Sequence, residues 1–151
     1  MALPLEPAVI AFLAAARVAH LGTVGASGAP LVVPICFALH RSRLFLSLDE
    51  KPKQRDPREL QRVRNLRANP RAAVVADRWD EDWTRLAWVH LSGPARVIES
   101  GAEAMSADAD LHTVAIALLR EKYLQYRDMD LDDRPAIVME IERVKTWGPL
   151  L

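Results

Sequence analysis

The chain has 151 residues, half of them hydrophobic, and its 20 basic and 20 acidic side chains leave it formally neutral at pH 7. That length suits a single domain, 1–151, with a sizeable core, and the apolar fraction excludes global disorder. Neutrality argues against a general nucleic-acid or membrane-surface protein, so a charged ligand would have to be met by a local patch.

Cys36 is the lone cysteine, so no internal disulfide is possible and a packed thiol is expected. The apolar stretch Val9 to Ala16 follows Glu6 where a signal peptide needs basic residues, and no run is long enough to span a membrane. A cytoplasmic protein is expected.

Glu6-Pro7 opens a helix that runs to about Ala16, with proline tolerated in the first turn. Val18 to Val24 reads as a strand, and Gly25-Ala26-Ser27-Gly28 supplies the positive-φ positions of a hairpin turn. Leu31 to Leu39 is a near-continuous apolar strand interrupted by Pro34, which calls for a sheet edge, a bulge or a cofactor-facing stretch. His40-Arg41-Ser42 turns the chain into the strand Leu44 to Leu48. A helix then follows, with Asp56 as cap, Pro57 at the first helical position and Glu59 completing a capping box. Its Leu60, Val63 and Leu66 share one face, so its arginines point elsewhere, and Asn69-Pro70 ends it.

Ala72 to Ala76 is a short buried strand. The acidic, tryptophan-bearing loop Asp77 to Asp82 precedes a long strand, Leu86 to Glu99, with a bulge expected at Gly93-Pro94. Leu111, Val114, Ala115, Leu118 and Lys122 carry helical spacing. Asp128 to Asp133 reads as an exposed acidic loop, and Ala136 to Trp147 as the closing strand. Six strands joined mostly by short connections, with helices at the start, middle and late positions, predict a mainly β fold: a small antiparallel barrel with flanking helices.

The strongest functional signal is the segment Leu44 to Lys53. An apolar strand stops, two lysines sit in a proline-held loop, and a capped helix begins just beyond. From Lys51 to Arg71 eight basic residues face only Asp56 and Glu59, a local charge of +6 in a neutral chain. A strand end, a lysine loop and a helix start suit a phosphate or another anion.

Other constellations fail. His20, His40, His90 and His112 are dispersed without metal-ligand spacing, so no metal is expected. Gly22, Gly25 and Gly28 do not form a dinucleotide fingerprint, and Ser27 lacks a nucleophile elbow. No residue stands out as an obligatory general acid or base, which agrees with chemistry carried by a cofactor.

The order of these elements resembles the pyridoxamine 5'-phosphate oxidase-like family of flavin- and deazaflavin-binding proteins. The segments that carry the resemblance are Ala19 to Val24, Pro30 to Ile35, Leu44 to Lys53, Arg64 to Leu66 with Asn69 to Val74, and Trp88 to Val97. The lysine loop and Asp82-Trp83-Thr84-Arg85 look most like an actinobacterial subgroup of deazaflavin (coenzyme F420)-dependent enzymes. The resemblance implies a six-stranded antiparallel split β-barrel of the FMN-binding type, assembled as a homodimer with the cofactor at the interface. It implies that Val32, Val33, Pro34 and Ile35 lie along the cofactor ring, that Ser47 and Leu48 contact ring and ribityl chain, and that Lys51 and Lys53 reach the phosphate. Trp83, Arg85 or Trp88 from the second subunit would close the site. The chain ends at Thr146 to Leu151 without the C-terminal substrate arginines of the vitamin oxidase, which speaks against the vitamin as substrate.

Arg55, Arg58 and Arg62 extend the positive field beyond the phosphate lysines, which suits the oligoglutamate tail of coenzyme F420 better than FMN. Sixteen arginines against four lysines also fit a high-GC genome. The expected function is hydride transfer between coenzyme F420 and a small unsaturated organic substrate, with neither nucleic acid nor membrane as partner. An FMN-dependent oxidase or reductase and a non-catalytic flavin- or haem-binding protein are the alternatives.

Overall fold

The computed structural model describes residues 4–48, 56–100 and 106–151. Among them eight strands form one curled antiparallel sheet, a half-barrel: β1 (Ala19–Val24), β2 (Pro30–Ile35), β3 (Ala38–His40), β4 (Arg43–Ser47), β5 (Arg71–Arg78), β6 (Ala87–Ile98), β7 (Ala136–Glu140) and β8 (Arg143–Trp147). The spatial order is β2-β1-β5-β6-β7-β4-β3, with β8 also paired to β6. Three helices flank the sheet: α1 (Pro7–Ala15), α2 (Gln61–Ala68) and α3 (Ser106–Lys122).

The expected six strands become eight because two of them divide. Leu31 to Leu39 splits at Cys36-Phe37, where the chain leaves one end of the sheet path for the other. Pro34 therefore sits in an edge strand, where its missing N–H costs no ladder bond. The closing strand splits at Ile141-Glu142. Between the pairs Ala95↔Met139 and Ser92↔Arg143 the chain takes three steps along β6 but four along its partner. This is a β-bulge, with the extra residue on the closing strand rather than at Gly93-Pro94. Gly93 is nonetheless required there, since a Cβ would collide with the Glu140 carbonyl and lie 3.1 Å from the Glu142 nitrogen.

The barrel interior is filled by Leu21, Leu44, Leu46, Leu48, Val74, Val89, Leu91 and Ile137, and by Phe12 and Leu13 of α1 and Val63 and Leu66 of α2. α2 begins later than expected. Asp56 accepts from the Arg58 N–H at 2.9 Å, capping a 3-10 turn (Pro57–Glu59), and Leu60 is extended (φ −61°, ψ 144°) before the α-helix starts. Buried Asn65 fixes α2 to the first hairpin. Its amide donates to Thr23 Oγ1 at 3.1 Å, and its Oδ1 packs where Gly25 has no Cβ.

α3 covers Phe45, Val138, Ile98 and Ala136 on the opposite side of β4, β7 and the end of β6. The acidic stretch after it is pinned rather than free, because Leu131 is fully buried and Asp132 pairs with Arg120 at 3.3 Å. That half of the sheet is thus buried on both faces. The half made of β2, β1, β5, β8 and the start of β6 is packed on one face only.

Candidate functional site

Two regions of the fold carry the sequence-predicted residues. The first is the open face of the sheet. Alternation buries Ala19, Leu21 and Thr23 of β1 and turns His20 and Gly22 outward. Cross-strand pairing then sets out rows on that face: Val32, Gly22, Ala73, Ser92 and Arg143; Pro34, His20, Val75, His90 and Lys145; and Asp77, Trp88 and Trp147. Directly paired residues sit side by side. Val32 is 65% and Trp147 51% exposed, so a face of mixed apolar and polar side chains lies open among the described residues. Alternation also divides the stretch expected along the ring: Val32 and Pro34 face outward, whereas Val33 packs on the core and Ile35 is buried.

The second region is the end of β4. Ser47 pairs with Ala136, which pairs with Ile98 at the end of β6. Ser47 is buried, and its Oγ has no hydrogen-bond partner among the described residues. An orphaned hydroxyl in such a place costs about 1–3 kcal/mol unless a ligand satisfies it. Leu48 continues into the core, its N–H donating to the Pro135 carbonyl at 3.2 Å. Lys51, Lys53 and Arg55 lie outside the described residues.

One residue past Ile98, Glu99 takes a two-point contact from Arg58 (2.7 and 3.1 Å), so the basic segment is anchored beside the strand end that carries Ser47. Arg58 also holds Asp56, whose carboxyl lies below the usual range mainly because it accepts the Arg58 N–H. Arg58 is therefore committed to carboxylates, and Arg62 is half-buried. On α2, Arg64 and Arg67 are exposed, and with Arg58 and Glu59 they line a shallow cavity of about 540 Å³.

The residues expected to close the site are elsewhere. Trp83 is 70% exposed and meets Trp79 edge-to-face at 6.4 Å. It stands in a 3-10 turn (Trp83–Arg85) capped by Asp82, whose carboxyl is lowered by the Thr84 hydroxyl and N–H. Arg85 pairs with Asp80 at 3.1 Å, and Arg78 holds the Arg85 carbonyl. Trp88 is half-buried on the open face opposite Trp147. From Trp88 to Ile98 along β6 is about 33 Å at the rise of a strand. Trp88 thus lies near the start of β6, just after the turn that holds Trp83, whereas Ser47 of β4 lies beside its far end through Ala136.

Sequence reasoning missed the shared row of His20 and His90. Their alternation with apolar neighbours was a usable signal, but the register between β1, β5 and β6 was not. Among the described residues no three potential ligands cluster for a metal, and no helix is long and apolar enough to cross a membrane.

The curled antiparallel half-barrel with its flanking helices is a split-barrel fold. Residues 5–148 match the family model described as Pyridoxamine 5'-phosphate oxidase, and the chain belongs to that family. No curated protein shows recognisable sequence similarity. Among solved structures, conserved hypothetical protein Rv2991 from Mycobacterium tuberculosis superposes with a TM-score of 0.73 at 18% identity, covering 97% of this chain and 86% of that one. The haem storage protein HutZ from Vibrio cholerae gives 0.67 at 18% identity, covering 97% and 95%. A pyridoxamine 5'-phosphate oxidase-like protein from Listeria innocua gives 0.63 at 16%, covering 93% and 96%. At these identities the likeness speaks for the fold.

Proposed function

We propose that the protein is a homodimeric oxidoreductase that binds coenzyme F420 and passes a hydride between it and a small unsaturated organic substrate. The observation that carries this reading is the buried Ser47 Oγ, unsatisfied at the end of β4 and next to the basic segment. A polar group on the cofactor chain would complete it, and Lys51 and Lys53 would meet the phosphate. When bound, the cofactor supplies the hydride chemistry, and the residues of this chain bind it, orient it and exclude water.

Arg64 and Arg67, rather than Arg58, would receive the carboxylates of a tail, because Arg58 is already engaged. In the proposed dimer, Trp83, Arg85 or Trp88 of the second subunit would close the site. The second reading is a non-catalytic haem- or FMN-binding protein. It is favoured by His20 and His90 sharing one row of the open face, and by the haem storage protein among the structural relatives.

Replacing Lys51 and Lys53 together by alanine should weaken F420 binding by about a hundredfold or more, the effect of losing two charge-assisted contacts worth about 1.5–3 kcal/mol each. Ser47→Ala should weaken it less. Fluorescence titration giving the wild-type affinity in the double variant would reject the site.

A further inference from the structure

We propose that the cavity between the β3–β4 hairpin and α3 binds a small zwitterion with an apolar body, of which an α-amino acid with an apolar side chain is the simplest. The cavity has a volume of about 490 Å³, within the range of about 300–1,000 Å³ typical of small-ligand sites. One wall is the hairpin from His40 to Arg43, joined by Glu140 at the end of β7. The other is a stripe of α3 formed by Ala107, Asp110, Leu111 and Val114, whose i, i+3, i+4, i+7 spacing puts them on one helix face. The cavity lies at the start of β4, about 13 Å along that strand from Ser47, and on the α3 side rather than on the open face. It is thus separate from the cofactor site, and the inference does not rest on the cofactor reading.

The charges around the cavity are unequally committed. Arg43 donates from Nε to Glu140 Oε1 at 2.7 Å, so that pair is closed. Asp108, on another face of α3, is held by Arg96 at 2.9 Å. Arg41 and Asp110 remain. Both are exposed, and neither makes an ion pair or a side-chain hydrogen bond, with the other or elsewhere among the described residues. Beside them Leu111 packs on the cluster under α3, while Val114 leaves 38% of its surface open. A guanidinium, a carboxylate and open apolar surface on one cavity match a carboxylate, an ammonium and a hydrocarbon chain in one molecule.

The backbone supplies a second observation. Among the described residues Arg41 alone, glycines aside, has a positive φ, 57°, in a two-residue loop position that suits glycine or asparagine. Its neighbours hold it there: Ser42 is buried, and the Ser42 carbonyl accepts the Ile141 N–H at 2.8 Å. A strained residue that carries a long cationic side chain, is fixed by its surroundings and stands on a cavity wall has the character of a ligand contact.

The test is an NMR titration of the isotope-labelled full chain with L-leucine, with isocaproate (leucine without its amino group) and with isopentylamine (leucine without its carboxylate). Leucine should shift the amides of 40–43 and 107–114 and bind about three- to fivefold more tightly than either analogue, the discrimination an exposed charge contact supplies. In Asp110→Asn leucine should bind no better than isocaproate. In Arg41→Gly it should bind no better than isopentylamine; glycine relieves the positive φ, so this variant keeps its fold. No shifts at these amides with millimolar leucine, equal wild-type affinity for leucine and isocaproate, or an Arg41→Gly protein that binds leucine as wild type does would overturn the proposal.

Discussion

Replacing Gly93 with alanine probes the bulge that divides the closing strand. The added Cβ would collide with the Glu140 carbonyl oxygen and lie 3.0 Å from its carbon and 3.1 Å from the Glu142 nitrogen. All three atoms are backbone, so no side chain can turn away to make room. Overpacking of this kind costs about 1–3 kcal/mol. Relief requires the bulge to move, which endangers the Glu142 N–H bond to the Ser92 carbonyl (2.9 Å), worth about a further 0.5–1.5 kcal/mol. A total loss of about 2–4 kcal/mol follows. Urea denaturation with an unchanged slope should report it as a lower midpoint. Gly22→Ala is the control: its Cβ would meet nothing closer than the Ala73 carbonyl at 3.7 Å, so it should cost no more than about 1 kcal/mol. A Gly93→Ala protein within about 1 kcal/mol of wild type would refute the close-approach argument.

Arg41 occupies a two-residue hairpin loop at φ 57°, a region that costs an L-residue about 1–2 kcal/mol. Arg41→Gly should therefore raise the urea midpoint by the equivalent of about 0.5–1 kcal/mol, after glycine's own entropic cost. Burial, with Arg17 next and Cys36 opposing, makes Lys122 bind its proton less readily folded (about 8) than unfolded (10.5), so between those values the unfolded chain holds more protons and stability rises with pH. Lys122→Met should flatten that rise by about 1 kcal/mol, the full shift being discounted because the group is partly exposed, as thermal melts across pH 8 to 10 would register.

The hairpin turn around Gly25 to Gly28 and the buried face of α2 were legible because each rests on local chemistry, a positive φ at Gly28 and helical spacing. The missing N–H of Pro34 allowed the edge position as one of three alternatives. Gly25 has no positive φ and instead makes room for Asn65. What escaped depended on residues far apart in the chain. The break at Cys36-Phe37 is held by the hydroxyl of Tyr123, 86 positions away, and the bulge at Ile141-Glu142 by the approach of Gly93. An unbroken apolar pattern such as Leu31 to Leu39 carries no mark of either. The basic segment was visible as charge, but the sequence assigned Arg58 to a ligand, whereas Glu99, 41 positions on, engages it. Arg64 and Arg67 stay exposed because Val63 and Leu66 direct that side of α2 to the core.

The account stands most directly on what the purified apo-protein binds. Titration with coenzyme F420, FMN and haem, followed by absorbance and fluorescence, separates the three by their visible spectra. The account predicts that F420 saturates one site per chain, that its affinity rises with tail length and falls with salt as the exposed arginines require, and that FMN binds more weakly with little salt dependence. Saturation by FMN or haem with no binding of F420 would contradict it.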